Sequence, residues 1–371
     1  MSLASGDDPA LRRTLLIGLT VSLIAACGGG APATNHPTSG SVAPSREAPA
    51  TTNSQPSAAA PPTFAAAPGA VTLVAYSTPR EAYEELIPLF QATDAGAAAT
   101  FEESYGGSGD QSRAVQAGLP ADVLALALSP DIERLVEPGI VAADWDENDY
   151  GGIVHDSIVV FDVRPGNPKN IRSWDDLIRE DVTVITPNPI TSGGAQWNIL
   201  AAYQAQLDAG KSEADAIAYL GQLAARVAVW DPSARDALNT FLQAGQGDVL
   251  IGYENEAIFA QQSGQPLEYV VPDNTLLIEN AISTTLVGDA TNEANAFVDF
   301  LYTSEAQTVF GEHGFRPILP EVLAQFPDFA TPANVATVDD DLGGWSVARP
   351  KFFDPGQGVM AEIFRNLGIE S

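Results

Sequence analysis

The stretch Val182-Thr-Val-Ile-Thr-Pro-Asn-Pro-Ile-Thr-Ser-Gly-Gly-Ala195 joins a β-branched run to a segment whose Leu200, Tyr203 and Leu207 recur at i, i+3 and i+7. The run fits a buried strand and the recurrence fits a helix, so Ser192-Gly193-Gly194 falls in a strand-to-helix turn. The same order returns three times. Val71-Thr-Leu-Val-Ala-Tyr76 precedes Ser77-Thr-Pro-Arg80 and an apolar face of Tyr83, Leu86 and Phe90. A strand near Ala99-Thr-Phe-Glu102 precedes Ser104-Tyr-Gly-Gly-Ser-Gly109 and a helix through Ala114, Val115 and Leu119. Val227-Ala-Val-Trp-Asp231 precedes Pro232-Ser-Ala-Arg235 and a helix with Leu238, Phe241 and Leu242. Strands alternating with helices predict an α/β fold with mainly parallel sheets, in which ligands gather beyond the carboxyl ends of the strands.

The four turns share one chemistry: they offer hydroxyls and backbone amides. First-turn amides of a helix have no intrahelical acceptor and lie at the positive end of its dipole, and glycine lets the backbone approach a ligand closely. A small anion is the natural occupant. An alternative remains open, in which Thr191 or Ser192 merely caps a helix, as Thr78 would with Pro79 at the first helical position. Two turns from each of two lobes could converge on one anion.

A chain of 371 residues exceeds one typical core and implies two lobes. Ser157-Ile-Val-Val-Phe161, within a β-branched run at 153–163, reads as a strand crossing into the second lobe, and Trp174, Leu177 and Ile178 mark a helix. Asp248-Val-Leu-Ile-Gly-Tyr253 reads as the strand that returns to the first. The boundaries expected are 69–155 and 254–340 for lobe 1, 156–253 for lobe 2, and a segment 341–371 packing across both.

Asp and Glu number 48 against 17 Lys and Arg, for a formal charge of −31. That balance argues against nucleic acid or an anionic membrane surface as partner. Arg12-Arg13 precedes an apolar run from Leu15 to Ala26, which fits an export signal over residues 1–26. The end of that run, Leu23-Ile-Ala-Ala-Cys27, resembles a bacterial lipoprotein box, whose cysteine is lipidated after cleavage; an ordinary signal peptide cleaved nearby is the alternative. Cys27 is the single cysteine, so a disulfide within the chain is impossible. Residues 27–68 are rich in Pro, Ala, Ser and Thr and fit a disordered tether. A lipidated cysteine, a tether and a folded part together describe a protein held at the outer face of the cytoplasmic membrane, or periplasmic.

The folded part resembles the sulfate- and thiosulfate-binding proteins of bacterial ABC importers, which have the two-lobe periplasmic-binding-protein fold and a hinged cleft. The resemblance rests on Ala75-Tyr-Ser-Thr-Pro-Arg80, Gly106-Gly-Ser-Gly109, Val163-Arg-Pro-Gly-Asn-Pro-Lys169, Trp174-Asp-Asp-Leu-Ile178, Val184-Ile-Thr-Pro-Asn-Pro189, Ser192-Gly-Gly-Ala195, Ser233-Ala-Arg235, Gly247-Asp-Val-Leu-Ile251, Glu254-Asn-Glu-Ala257 and Gly343-Gly-Trp345, in family order from about 71 to 350. It implies an anion held by amides or hydroxyls at Ser77, Ser108, Ser192, Gly193, Gly194 and Ala234, with a ring donor at Tyr253. It also implies delivery of sulfate to an ABC permease and ATPase, with no cofactor, by what is expected to be a monomer. Two positions depart from the family pattern: Ser77 stands in place of an aspartate, and Tyr253 in place of a tryptophan.

Sulfate carries no proton at neutral pH and wants donors only, whereas phosphate keeps a proton and needs an acceptor. Hydrogen bonds from neutral groups to an anion contribute roughly 1.5–3 kcal/mol each, so six or seven suffice for micromolar or tighter binding. Asp231 and Glu254 flank the turns, and capping or pairing with Arg235 is expected to occupy them. His36, His155 and His313 are scattered and no metal-ligand spacing occurs, so neither catalysis nor a metal is expected. The alternatives are a thiosulfate, molybdate or tungstate receptor, and, more remotely, a surface lipoprotein enzyme or adhesin that reuses the fold.

Overall fold

The computed structural model describes residues 70–369. The export signal, Cys27 and the tether lie outside the described residues. The chain begins with β1 (Ala70–Tyr76), α1 (Arg80–Gln91), β2 (Thr100–Gly106), α2 (Ser108–Gln116), β3 (Val123–Leu126), α3 (Ser129–Glu133) and β4 (Ile153–Val163). A short 3-10 turn at Trp174–Ile178 leads to β5 (Val184–Pro187), α4 (Gly193–Asp208), α5 (Glu213–Ala224), β6 (Val227–Asp231), α6 (Ala234–Leu242), β7 (Val249–Tyr253) and α7 (Glu254–Gln262). Next come β8 (Glu268–Val270), β9 (Asn274–Thr284), α8 (Thr291–Leu301), α9 (Ser304–Glu312), α10 (Pro320–Leu323), β10 (Asn334–Ala336), α11 (Val338–Leu342), α12 (Trp345–Phe353) and α13 (Val359–Leu367).

The strands run in the order β2-β1-β3-β9-β4-β7-β5-β6. β1 is parallel to β2 and β3, and β5 is parallel to β6 and β7, so each end of this series is a small parallel sheet. β1 is buried along its whole length, as a strand covered on both faces must be. The two sheets meet through β4 and β9. Ile158 pairs with Leu277 and Ser157 with Ile278, antiparallel; beyond that contact β4 runs on beside β7 and β9 runs on beside β3. The fold is the two-lobe α/β architecture, with β4 and β9 as the strands shared by both lobes.

One strand does not lie where the sequence suggested. β7 does not return the chain to the first sheet: it sits between β4 and β5, and α7 after it packs Ala257 and Ala260 beside Leu238, Phe241 and Leu250 of the second lobe. The return is made by β9, whose Glu279-Asn280 interrupts the apolar alternation that would announce a strand.

The first lobe centres on Tyr83, Phe90, Phe297 and Phe310, with Phe90 and Phe297 ring centroids 5.2 Å apart. The second centres on α4, buried on nearly every side because α5, β9 and the C-terminal helices enclose it. The segment after β10 reaches both lobes. Trp345 packs edge-on against Trp197 at 4.9 Å, Phe352 against Tyr203 at 4.7 Å, and Arg349 bonds the Pro130 carbonyl and the Asp131 carboxylate.

His155, at the head of β4, is fully buried between Phe310 (4.5 Å) and Phe315 (4.2 Å), and neither ring nitrogen makes a hydrogen bond of good geometry. Burial pushes its pKa down to about 3, with the Asn280 side chain pulling weakly the other way, so the ring is neutral in the folded protein.

Candidate functional site

Three of the four turns become helix N-termini aimed at one point. Ser108 is the first residue of α2, Gly193 of α4 and Ala234 of α6, and Tyr253 immediately precedes α7. Ser77, Ser108, Ser192, Gly193, Gly194, Ala234 and Tyr253 all line a single small cavity. Ser77 and Ser108 come from the first lobe and the other five from the second, so an occupant touches both.

Glycine is required here by proximity. A Cβ on Gly107 would stand 2.5 Å from the Thr191 carbonyl oxygen and 2.8 Å from that of Pro232, across the gap between lobes. A Cβ on Gly193 would meet Ala127 and Leu128 at 2.8 and 2.9 Å, again from the opposite lobe. These contacts describe a cleft that is shut. The amides of Gly109 and Asp110 donate across it to the Thr191 carbonyl at 3.1 and 3.3 Å, and Trp197 Nε1 donates to the Ala127 carbonyl at 2.8 Å.

The donors separate into spent and free. Among the described residues, no protein acceptor takes the amides of Ser108, Gly193, Gly194 or Ala234. Ser192 occupies the cap position of α4, yet its side chain caps no amide, and the Thr191 hydroxyl donates to the Pro232 carbonyl at 2.8 Å instead. A capping role for either side chain is therefore not what the turn is for. Thr78 also caps nothing, and α1 starts at Arg80 after Pro79, one residue later than the sequence suggests. Ser233 does cap, accepting from the Asp236 amide at 3.2 Å.

At Ser108 the amide is free and the hydroxyl proton is spent. Its Oγ donates to Asp131 Oδ2 at 2.7 Å and accepts from the Ala127 amide at 3.0 Å. Asp131 is wholly buried behind the cavity and also receives Arg349 at 2.9 Å and Arg134 at 3.3 Å, so its charge is matched away from the occupant. The Tyr253 phenol is buried and makes no hydrogen bond of good geometry. Burial raises its pKa well above the ordinary range, so it stays protonated and able to donate.

Charged side chains ring the cavity without lining it. Arg235 is gripped by Glu81 and Glu256, not by Asp231 or Glu254. Glu254 pairs with Arg316 at 2.7 Å, and Asp231 accepts from the Thr240 hydroxyl at 2.8 Å. Burial raises the pKa of both acids, and neither faces the cavity. Sequence reasoning missed Asp131, Arg349, Glu81 and Glu256, because each meets its partner only through the fold. The arrangement can bind a small oxyanion through neutral donors; among the described residues no group of His, Cys, Asp and Glu is placed to hold a metal ion.

The comparisons with known proteins agree with this fold. The family described as bacterial extracellular solute-binding protein matches residues 71–316. A sulfate-binding protein of Synechocystis sp. is 39% identical over 308 residues, covering 80% of this chain and 87% of the relative. A thiosulfate-binding protein of Pseudomonas aeruginosa is 35% identical over 295 residues, covering 76% of this chain and 89% of the relative. The solved sulfate-binding protein SubI of Mycobacterium tuberculosis H37Rv is 44% identical with a TM-score of 0.74, covering 77% of this chain and 99% of SubI.

Proposed function

The chain belongs to the bacterial extracellular solute-binding protein family, and from that premise we propose that it is an extracytoplasmic sulfate receptor that delivers its ligand to an ABC importer. The observation that carries the reading is the cavity itself: helix N-termini from both lobes present unpartnered amides, and no charged side chain lines it.

In this reading the amides of Ser108, Gly193, Gly194 and Ala234, the turn at Ser77, the Ser192 hydroxyl and the Tyr253 phenol hold the dianion. The charge is met by dipoles, so no counter-cation is needed. Sulfate suits a donor-only wall, whereas a protonated oxyanion such as phosphate would leave its own donor facing donors, a mismatch of several kcal/mol at most. Asp131 does not rescue phosphate, because its oxygens are already engaged by Ser108, Arg134 and Arg349. The formal charge of −31 opposes anion capture at low salt, but screening beyond about 8–10 Å leaves the local amides in control.

Lipidation of Cys27 would place this receptor beside its permease on the outer face of the cytoplasmic membrane, with residues 28–68 giving reach. Membrane fractionation of the wild type and of Cys27→Ser tests the anchor, which fails if both partition alike.

Calorimetry and thermal shift with sulfate, thiosulfate, molybdate, tungstate and phosphate test the ligand. Sulfate at 100 times its dissociation constant should add about 2.7 kcal/mol to stability. No response to millimolar sulfate overturns the sulfate assignment. A second reading, thiosulfate, is supported by the 35% identity to a thiosulfate-binding protein, and stronger binding of thiosulfate in the same panel would select it.

A further inference from the structure

Arg235 follows Ala234, so the turn that lines the cavity also aims a guanidinium. On its own lobe the group is held by Glu256, with Nε to Oε2 and Nη2 to Oε1 both at 2.9 Å, and it lies over the Phe259 ring at 4.3 Å. Across the cleft it is held by Glu81 of α1, with Nη1 to Oε1 at 2.6 Å and Nη2 to Oε2 at 2.9 Å, and by the Thr78 carbonyl at 3.1 Å. One arginine thus makes two forked carboxylate contacts, one within a lobe and one between lobes.

The two carboxylates differ in what separation would do to them. The Glu256 side chain is 3% exposed and would be a buried, unpaired charge without Arg235, so that contact belongs to the lobe in every state. The Glu81 side chain is 27% exposed and stands where water can replace the guanidinium once the lobes part. Against the upward pull of burial, the Arg235 bond and charge hold the Glu81 carboxyl below its ordinary range, so the contact is ionic at neutral pH. A second arginine reaching across the cleft, Arg113 Nη2 to the Ile190 carbonyl at 3.0 Å, meets a neutral acceptor, while Arg349 of the C-terminal segment pairs with Asp131 of the first lobe at 2.9 Å.

Resting on the receptor reading, we propose that Glu81 and Arg235 form the latch that sets how long the anion is retained, acting as positioning residues that close the lobes without touching the ligand. Glu256 keeps Arg235 extended and charged in the open protein, so closing needs only the arrival of Glu81. The latch is then felt in release and not in capture.

Stopped-flow measurement of sulfate capture and release on the full folded chain tests this with Glu81→Gln, Glu81→Asp and Glu256→Gln. Loss of a partly buried, charge-assisted contact predicts about tenfold faster release for Glu81→Gln, an unchanged capture rate, and an unchanged melting temperature without ligand. Glu81→Asp should recover part of the retention. Glu256→Gln should lower the melting temperature of the unliganded protein. Added sodium chloride should speed release from the wild type and leave Glu81→Gln nearly insensitive. Release from Glu81→Gln at the wild-type rate overturns the latch, as does a loss confined to capture. A wild type that binds neither sulfate, thiosulfate nor molybdate overturns the receptor reading instead, whatever the variants do.

Discussion

The cavity and the Arg235 clasp lie side by side and solve electrostatics in opposite ways. The cavity is lined by neutral groups and leaves helix-terminal amides without partners. The clasp packs one cation between two carboxylates, so each acid meets the same guanidinium and the cluster keeps one net negative charge. The difference teaches where each device is useful. Fixed dipoles cost no reorganisation and bring no counter-charge that must be stripped away when the ligand leaves, so they suit a site that fills and empties. A forked ion pair is directional and can be made and broken between rigid bodies, so it suits a closing surface.

The widest test of the contrast puts a full charge into the neutral region. Ser192→Asp sets a carboxylate against the dianion and should abolish sulfate binding, a loss of at least about a thousandfold, while the melting temperature without ligand stays near that of the wild type. Normal sulfate binding by that variant would remove the turn at 192–194 from the site.

Next in size is a steric probe with no charge. Gly107→Ala brings a methyl to within 2.5 Å of the Thr191 carbonyl oxygen, an immovable backbone atom, so the lobes cannot shut. Affinity should fall about a hundredfold, with small-angle scattering showing an expanded protein even in saturating sulfate. A compact, tightly binding Gly107→Ala would mean that closure does not use this contact.

Tyr253→Phe is smaller and decides whether the phenol belongs to the cavity's donor set. If the hydroxyl donates to the anion, affinity falls about tenfold by calorimetry. Its removal should not destabilise the unliganded protein, because the hydroxyl has no good partner there. Unchanged affinity together with higher stability would exclude Tyr253 from the donors.

A last probe separates stability from binding. His155 has its pKa lowered to about 3 in the folded protein, against an ordinary value of 6.5. Between those values the unfolded chain takes up a proton that the folded chain does not. The stability that His155 confers is therefore present above the unfolded value and declines as pH falls from 6.5 toward 3, by up to about 1.4 kcal/mol per pH unit. His155→Phe, placed among Phe310 and Phe315, should flatten that part of the curve in urea titrations and leave sulfate affinity at neutral pH unchanged. An equally steep decline in the variant would assign the acid sensitivity elsewhere.

The parts of this molecule that the sequence discloses are those written in contiguous residues. Ser192-Gly193-Gly194 and Gly106-Gly107-Ser108 announce close backbone approach because each is a run of small residues between a strand and a helix, and the α/β alternation follows from the same periodicity. The clasp is silent in sequence. Glu81 and Arg235 are 154 positions apart, and nothing near either marks it as one of a pair. Arg349 reaches Asp131 over 218 positions, from a C-terminal segment whose packing is decided by Trp345 on Trp197. β9 is hard to read for another reason: Asn280 is buried and donates to the Ala127 carbonyl, so a polar residue stands where the alternation calls for an apolar one.

The pairing of β4 with β9 has a mechanical consequence. Two strands laid edge to edge, with Asp156 opposite Glu279 and Ile158 opposite Leu277, act as a ribbon spring. Their ladder of hydrogen bonds resists sliding of one strand along the other and stretching in the plane, while flexing out of that plane leaves every rung intact. Bending of that ribbon would therefore carry Ser77 and Ser108 on one side of the cavity, and Ser192, Gly193 and Gly194 on the other, as two intact units.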